Sequence, residues 1–190
     1  GFAINLKNYP TVAEYLKQEC STNFKKVLLR SITRLEHSFN VRYKMFFGEI
    51  TQEDYQKIMS ALKEMIAKRF SQRNGRNKDL DNWGHHYNQT LSLVKQKKAS
   101  LFVIFSNDEP IEVSLNYHID STMYSAISSY DLDYSKFSLG NIEIYKQLEW
   151  CILNGVSFFD MGYGDFDYKR RCKWSNPSYT NSYQTLRKQV

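Results

Sequence analysis

Long hydrophobic runs are absent from this sequence, and no stretch is apolar for long enough to span a bilayer as a helix. There is no secretory leader pattern either. The chain opens Gly1-Phe2-Ala3 with no methionine, as a trimmed piece of a longer protein does. Cysteine is scarce: Cys20, Cys151 and Cys172 are three in 190 residues, far apart, with no CxxC and no Cys/His spacing of the zinc-binding kind. A reduced, cytoplasmic setting is the simplest reading. No metal site is expected; His85 and His86 are neighbours on a helix, about 100° apart, and cannot chelate one ion together. No Ser/His/Asp or Cys/His catalytic arrangement can be argued from spacing. Internal repeats and low-complexity linkers are also missing.

The chain does have bulk and charge. Its residues are 42% hydrophobic and 15% aromatic, enough for one sizeable core. The net charge is +6, from 26 basic and 20 acidic residues. Such an excess suits phosphate-bearing ligands, nucleic acid or an anionic surface, and equally an ordinary basic protein.

Helix signals open the chain. Thr11 followed by Glu14 is a capping-box pattern after Pro10, and predicts a short helix to residue 19. A second helix is expected over residues 23–38, with Val27, Leu28, Ile32 and Leu35 on one side and Lys25, Lys26, Arg30 and Arg34 on the other. The basic stripe reads as a solvated face or as a polyanion contact. Residues 41–47 read as a strand. Thr51 with Asp54 caps a long helix to residue 70, whose stripe of Tyr55, Ile58, Met59, Leu62, Met65 and Ile66 fits packing on a sheet. Residues 71–81 are polar and read as a surface loop long enough for a lid. A further helix is expected over residues 83–97.

The β signal is clearest next. Residues 101–105 are continuously apolar, as in a strand covered on both faces. A turn is expected over residues 107–110. Ile111, Val113, Leu115 and Tyr117 then alternate with Glu112, Ser114, Asn116 and His118, which predicts a strand with one polar face. Asp120-Ser121 turns again, and residues 123–130 form the third strand of an antiparallel meander. A helix follows with Ile144, Tyr145, Leu148, Cys151 and Ile152 inward and Glu143, Lys146, Gln147 and Glu149 outward. Cys151 is therefore expected to be structural. Gly155 stops the helix. The strand beginning near Val156 must return parallel, because strand–helix–strand crossovers do so. It runs Phe158-Phe159-Asp160-Met161-Gly162 into Tyr163-Gly164 and the basic-aromatic Tyr168-Lys169-Arg170-Arg171.

That order of elements resembles the acyltransferases of the GNAT superfamily. More narrowly it resembles the CelD-type polysaccharide-biosynthesis acetyltransferases, a branch related to the FemABX peptidyltransferases. The residues carrying the likeness are the basic helix from Lys25, Tyr130-Asp131 at the strand end, Phe137-Ser138-Leu139-Gly140 at the helix start, and Phe159-Asp160-Met161-Gly162 with Gly164 and Tyr168-Lys169. Departures are visible. Leu139 stands where the branch usually has proline, the glycine-rich pyrophosphate loop retains only Gly140, and the chain has no room for the second N-terminal half many members carry. The resemblance implies an α+β fold, with a mixed, mostly antiparallel twisted sheet flanked by helices and a parallel strand–helix–strand unit in its C-terminal part. It divides the chain into a helical segment (1–22), the GNAT-like domain (23–175) and a tail (176–190).

The resemblance implies acetyl-CoA or another acyl-CoA as donor, and an amine or hydroxyl acceptor such as a sugar. A helix N-terminus presents unpaired N–H groups to a phosphate, so Lys136, Ser138, Leu139, Gly140 and Asn141 are expected to hold the donor's pyrophosphate, with Lys169 as a further phosphate ligand. Ser138 or Asn141 reads equally as a plain helix cap. Acyl transfer needs a base, an oxyanion donor and an acid for the leaving thiolate. Asp160 is the first candidate base because it ends its strand; it reads equally as an acceptor for loop N–H groups. Glu112 and His118 are further candidates, and Tyr163 or Tyr168 the candidate acid. Homodimerisation is a further expectation. Two other functions stay open: a FemABX-like transferase using charged tRNA, and a GNAT-like module that binds without catalysis.

Overall fold

The computed structural model describes residues 3–71 and 77–162. The chain runs β1 (Ala3–Asn5), α1 (Val12–Glu19), α2 (Thr22–Ser38), β2 (Val41–Phe46), α3 (Gln52–Ser71), α4 (Lys78–Asp81), α5 (Trp83–Lys95), β3 (Ala99–Ser106), β4 (Glu109–Ile119), β5 (Thr122–Tyr130), a 3-10 turn (Leu132–Phe137), α6 (Leu139–Leu153) and β6 (Phe158–Asp160). The strands form one six-stranded sheet in the order β1-β6-β5-β4-β3-β2. All pairings are antiparallel except β5 with β6, the parallel unit expected from the crossover through α6.

The helix starts follow local chemistry. The Thr11 hydroxyl accepts from the Glu14 N–H at 3.2 Å, and that of Thr51 from the Asp54 N–H at 3.0 Å. Asn107 and Asp108 both lie at positive φ, 50° and 67°, and make a two-residue hairpin from β3 to β4. The turn is therefore shorter than expected, and Pro110 already belongs to β4, beside the register shift between Ile104 and Phe105. There its missing N–H does least harm. The polar stretch before α5 is not all loop, because Asn77 caps the short α4.

Two apolar layers sandwich the sheet. On one face α1, α2 and α6 bring Leu28, Leu35, Ile142 and Leu148 against Phe102, Ile104, Met123 and Phe159. On the other, α3 and α5 bring Tyr55, Met59, Leu62 and Val94 against Leu101, Val103, Val113 and Leu115. Alternation from Leu101 to Phe105 and from Glu112 to Leu115 assigns odd residues to the α3 side and even ones to the α6 side, while Ile111, at the register shift, also packs on the α6 side.

This double covering corrects the reading of β4. Its polar face is buried: Glu112, Ser114 and Asn116 are 0% exposed, because α6 lies over them. The helix answers in kind. Glu143 and Gln147, expected to face outward, are 6% and 0% exposed and point at β4. The periodicity named the apolar stripe but missed that two polar residues share the inward face. Cys151 is free and buried as expected. No helix among the described residues is long and apolar enough to cross a membrane.

Candidate active site

The parallel strands β5 and β6 pair only over Thr122–Tyr124 and Phe158–Asp160. Beyond Tyr124, β5 continues for six residues while β6 ends. A β-bulge between Leu115 and Asn116 bends β5 away at the same level. The strands therefore part, and a cavity of about 360 Å³ opens where they do.

Its walls come from five places, one of them Ser135 of the 3-10 turn. Ser125, Ser128 and Tyr130 come from β5, and Phe159 and Met161 from β6 and its exit. Ser138, Leu139, Gly140, Asn141, Glu143 and Ile144 come from the start of α6. Arg69 reaches in from the last turn of α3, its guanidinium 5.4 Å from the Tyr130 ring centre. The lining combines a polar, cationic set with the apolar side chains of Leu139, Ile144, Phe159 and Met161.

The start of α6 is unusual for a helix. Ser138 sits in the left-handed region (φ 57°, ψ 44°) and makes no side-chain cap. Its carbonyl already accepts from Asn141 and Ile142, so the N–H groups of Leu139 and Gly140 carry the unsatisfied end of the helix. A methyl group placed on Gly140 would meet nothing within 4 Å. The expected cap at Ser138 or Asn141 is not formed, and an open, electropositive helix end faces the cavity.

Of the residues expected at the donor phosphates, Ser138, Leu139, Gly140 and Asn141 are brought together here. Lys136 is not; it is exposed, with its ammonium 5.2 Å from the Phe137 ring centre and its carbonyl accepting from Arg34. Lys169, Tyr163 and Tyr168 lie outside the described residues. Asp160 is 5% exposed, and its Oδ1 accepts from the Gly162 N–H at 2.7 Å. Phe159 and Met161 turn to the cavity and Asp160 does not line it.

His118 stands at the far end of β4. Its Nε2 is 2.8 Å from Ser100 Oγ, and its ring lies against Phe47 and Trp150. Burial pushes its pKa down to about 4. The imidazole is therefore a half-buried, neutral core group, away from the cavity. Glu112 lies behind the cavity lining and is joined to it through a partner the sequence reading missed. Ser114 Oγ lies 2.9 Å from Glu112 Oε1 and also hydrogen-bonds Glu143 Oε1, which accepts from Gln147 Nε2 at 2.8 Å. Burial pushes Glu143 up to about 7, against the lowering effects of Ser114, Gln147 and Arg69. Burial and then the Glu143 charge push Glu112 well above the carboxylate range. Glu143 and Arg69 are the cavity residues that sequence reasoning missed. The signal for Glu143 was its place in the first turns of α6, opposite a strand that alternates polar residues. Among the described residues no group of three or more His, Cys, Asp or Glu is placed to hold a metal.

The parallel pairing of β5 with β6 through α6 is the arrangement the sequence pattern implied. The profile of the acetyltransferase (GNAT) domain matches residues 22–170. The chain belongs to the GNAT acetyltransferase family. Among solved structures, FemX superposes over 100% of this chain and 57% of its own, with a TM-score of 0.63 and 10% identity. The C-terminal domain of a putative lysylphosphatidylglycerol synthetase from Agrobacterium fabrum superposes over 85% of this chain and 45% of its own (TM-score 0.56, 12% identity). L-PGS from Bacillus licheniformis covers 92% of this chain and 48% of its own (TM-score 0.53, 15% identity). At these identities the likeness is one of fold, and this GNAT chain spans about half the length of those structures. No curated protein matches it.

Proposed function

We propose that this GNAT domain transfers an acyl group from acyl-CoA to an amine or hydroxyl of a small acceptor such as a sugar, in the manner of the CelD-type branch. The observation that carries this is the uncapped N-terminus of α6 opening onto the cavity between β5 and β6. The residues fit the donor. The N–H groups of Leu139 and Gly140 and the Arg69 guanidinium would hold its pyrophosphate, with Ser138 and Asn141 beside them. The absent side chain of Gly140 leaves room for phosphate oxygens to approach the backbone. The apolar wall of Leu139, Ile144, Phe159 and Met161 would take the acyl arm, and would keep water from the thioester.

Arg69 gives the test. Isothermal titration of acetyl-CoA into the wild type should show saturable binding, weakened about tenfold in Arg69→Ala, as expected for a lost charge-assisted phosphate contact. Acetyl-pantetheine, which lacks the pyrophosphate, should bind both proteins equally weakly. Equal acetyl-CoA affinity in the two proteins would remove Arg69 from the donor site.

A second reading has its own support. FemX superposes over the whole chain, the glycine-rich pyrophosphate loop is reduced to Gly140, and Lys26, Arg30 and Arg34 lie exposed on α2. These fit a transferase whose acyl donor is aminoacyl-tRNA. That donor would bind with a steep dependence on salt, and acetyl-CoA would not compete with it.

A further inference from the structure

We propose that Glu143 is the proton acceptor of the transfer, and that Ser114 and Glu112 behind it hold the proton it shares. The proposal rests on the donor reading above. The hydroxyl of Ser114 lies within hydrogen-bond distance of carboxyl oxygens of both Glu112 and Glu143. A serine hydroxyl has one proton to donate. It cannot satisfy two carboxylates, so one of the two contacts is accepted by Oγ from a carboxylic acid. The trio therefore holds a proton beyond the serine's own, and one glutamate is neutral.

Position gives that proton a use. Glu143 lines the cavity, while Glu112 is 0% exposed behind it, with its Oε2 lacking any hydrogen-bond partner. Gln147 fixes the Glu143 carboxyl by donating to Oε1 at 2.8 Å. Two carboxyl groups buried together are expensive, and amides or apolar residues would serve packing better. The groups around Glu143 are Glu112 behind it on β4, with Arg69 from α3 and Tyr130 from β5 on the same cavity; on α6 itself, Lys146 is engaged with Glu149. Glu143 is held near neutral by burial set against Arg69 and its hydrogen bonds, where a base both accepts and returns a proton efficiently.

The step balances within the trio. The acceptor nitrogen or oxygen bonds to the thioester carbonyl carbon, and the carbon–sulfur bond breaks. The acceptor's proton passes to Glu143, so the pair of carboxyls goes from one proton to two. One proton then returns to the sulfur, and CoA leaves as the thiol.

The test joins a spectroscopic reading to a kinetic one. Infrared spectra at pH 7 should show the carbonyl stretch of an un-ionised carboxylic acid in the wild type, lost when Glu143 and Glu112 are both replaced by glutamine. With acetyl-CoA as donor and glucosamine as the acceptor probe, Glu143→Gln should bind acetyl-CoA within about threefold of wild type while CoA release falls at least about 100-fold. Its pH–rate profile should lose the acidic limb near 7. Absence of the carboxylic-acid band from the wild type overturns the proposal. So does a Glu143→Gln protein that binds donor and keeps the wild-type rate and pH profile. A wild type that shows the band but binds no acetyl-CoA removes the donor reading, and with it the catalytic role of Glu143.

Discussion

The buried titratable residues pull stability in opposite directions as pH changes. His118 is held well below its ordinary 6.5, at about 4, so between these values only the unfolded chain is protonated there. Stability from this residue is lost as pH falls from 6.5 toward 4. Glu143 is held above its ordinary 4.5, at about 7, and Glu112 also shifts upward. The fold retains protons that the unfolded chain has released, and this stability, complete below 4.5, is lost as pH rises to 7. Urea midpoints between pH 4.5 and 7 should therefore fall with pH in the wild type, because two carboxyl groups outweigh one imidazole. They should fall more steeply in His118→Gln and stay nearly level in Glu143→Gln; three parallel profiles would contradict the assignment. The sequence made Glu112 and His118 legible as titratable residues on one strand face. It did not show that α6 buries that face, because alternation of polar and apolar residues looks the same whether the polar side meets water or a helix carrying Glu143 and Gln147.

At the scale of elements, helix starts read well and helix ends less so. Caps are local: Thr11 with Glu14 and Thr51 with Asp54 form the bonds their spacing implies. Ends depend on backbone angles that side chains announce unevenly. Helices α5 and α6 finish in the same motif. Lys98 donates to the Leu93 carbonyl and Lys97 to Val94, as Val156 donates to Cys151 and Gly155 to Ile152. The left-handed residue is Gly155 in α6 but Lys97 in α5, at φ 70° and 59°. Glycine advertised one stop; lysine hid the other, and α5 reads two residues too long from sequence. Gly155→Ala should cost about 1–2 kcal/mol, seen as a lower urea midpoint at unchanged m-value. Gly84→Ala on α5, where a Cβ meets nothing within 4 Å, should be neutral or stabilising by up to about 1 kcal/mol. Equal effects at the two sites would contradict the backbone argument. Strand β1 was illegible for a simpler reason: three residues carry no periodicity, and only pairing with β6 defines it.

For the whole molecule, topology was the most legible property. An antiparallel meander followed by a helix and a parallel strand leaves few ways to arrange the sheet, and the order β1-β6-β5-β4-β3-β2 is one of them. The candidate site was legible where it is backbone, at Ser138 to Asn141, and illegible where it is assembled over distance. Arg69 and Tyr130 are far apart in sequence and meet only because α3 and β5 converge on one cavity. Asp160, the favoured base by position, instead holds the Gly162 N–H, a duty that the residue type and strand end suggest equally well. The claim on which the rest depends is that the open start of α6 receives the donor's phosphates. The most direct measurement is calorimetric titration of acetyl-CoA into the wild type and into Gly140→Asp, which sets a carboxylate at the helix end without a steric clash. The account predicts saturable binding by the wild type and at least about 100-fold weaker binding by the variant, as a like charge at a phosphate site requires. Binding undiminished in Gly140→Asp, or no binding by the wild type, would contradict it.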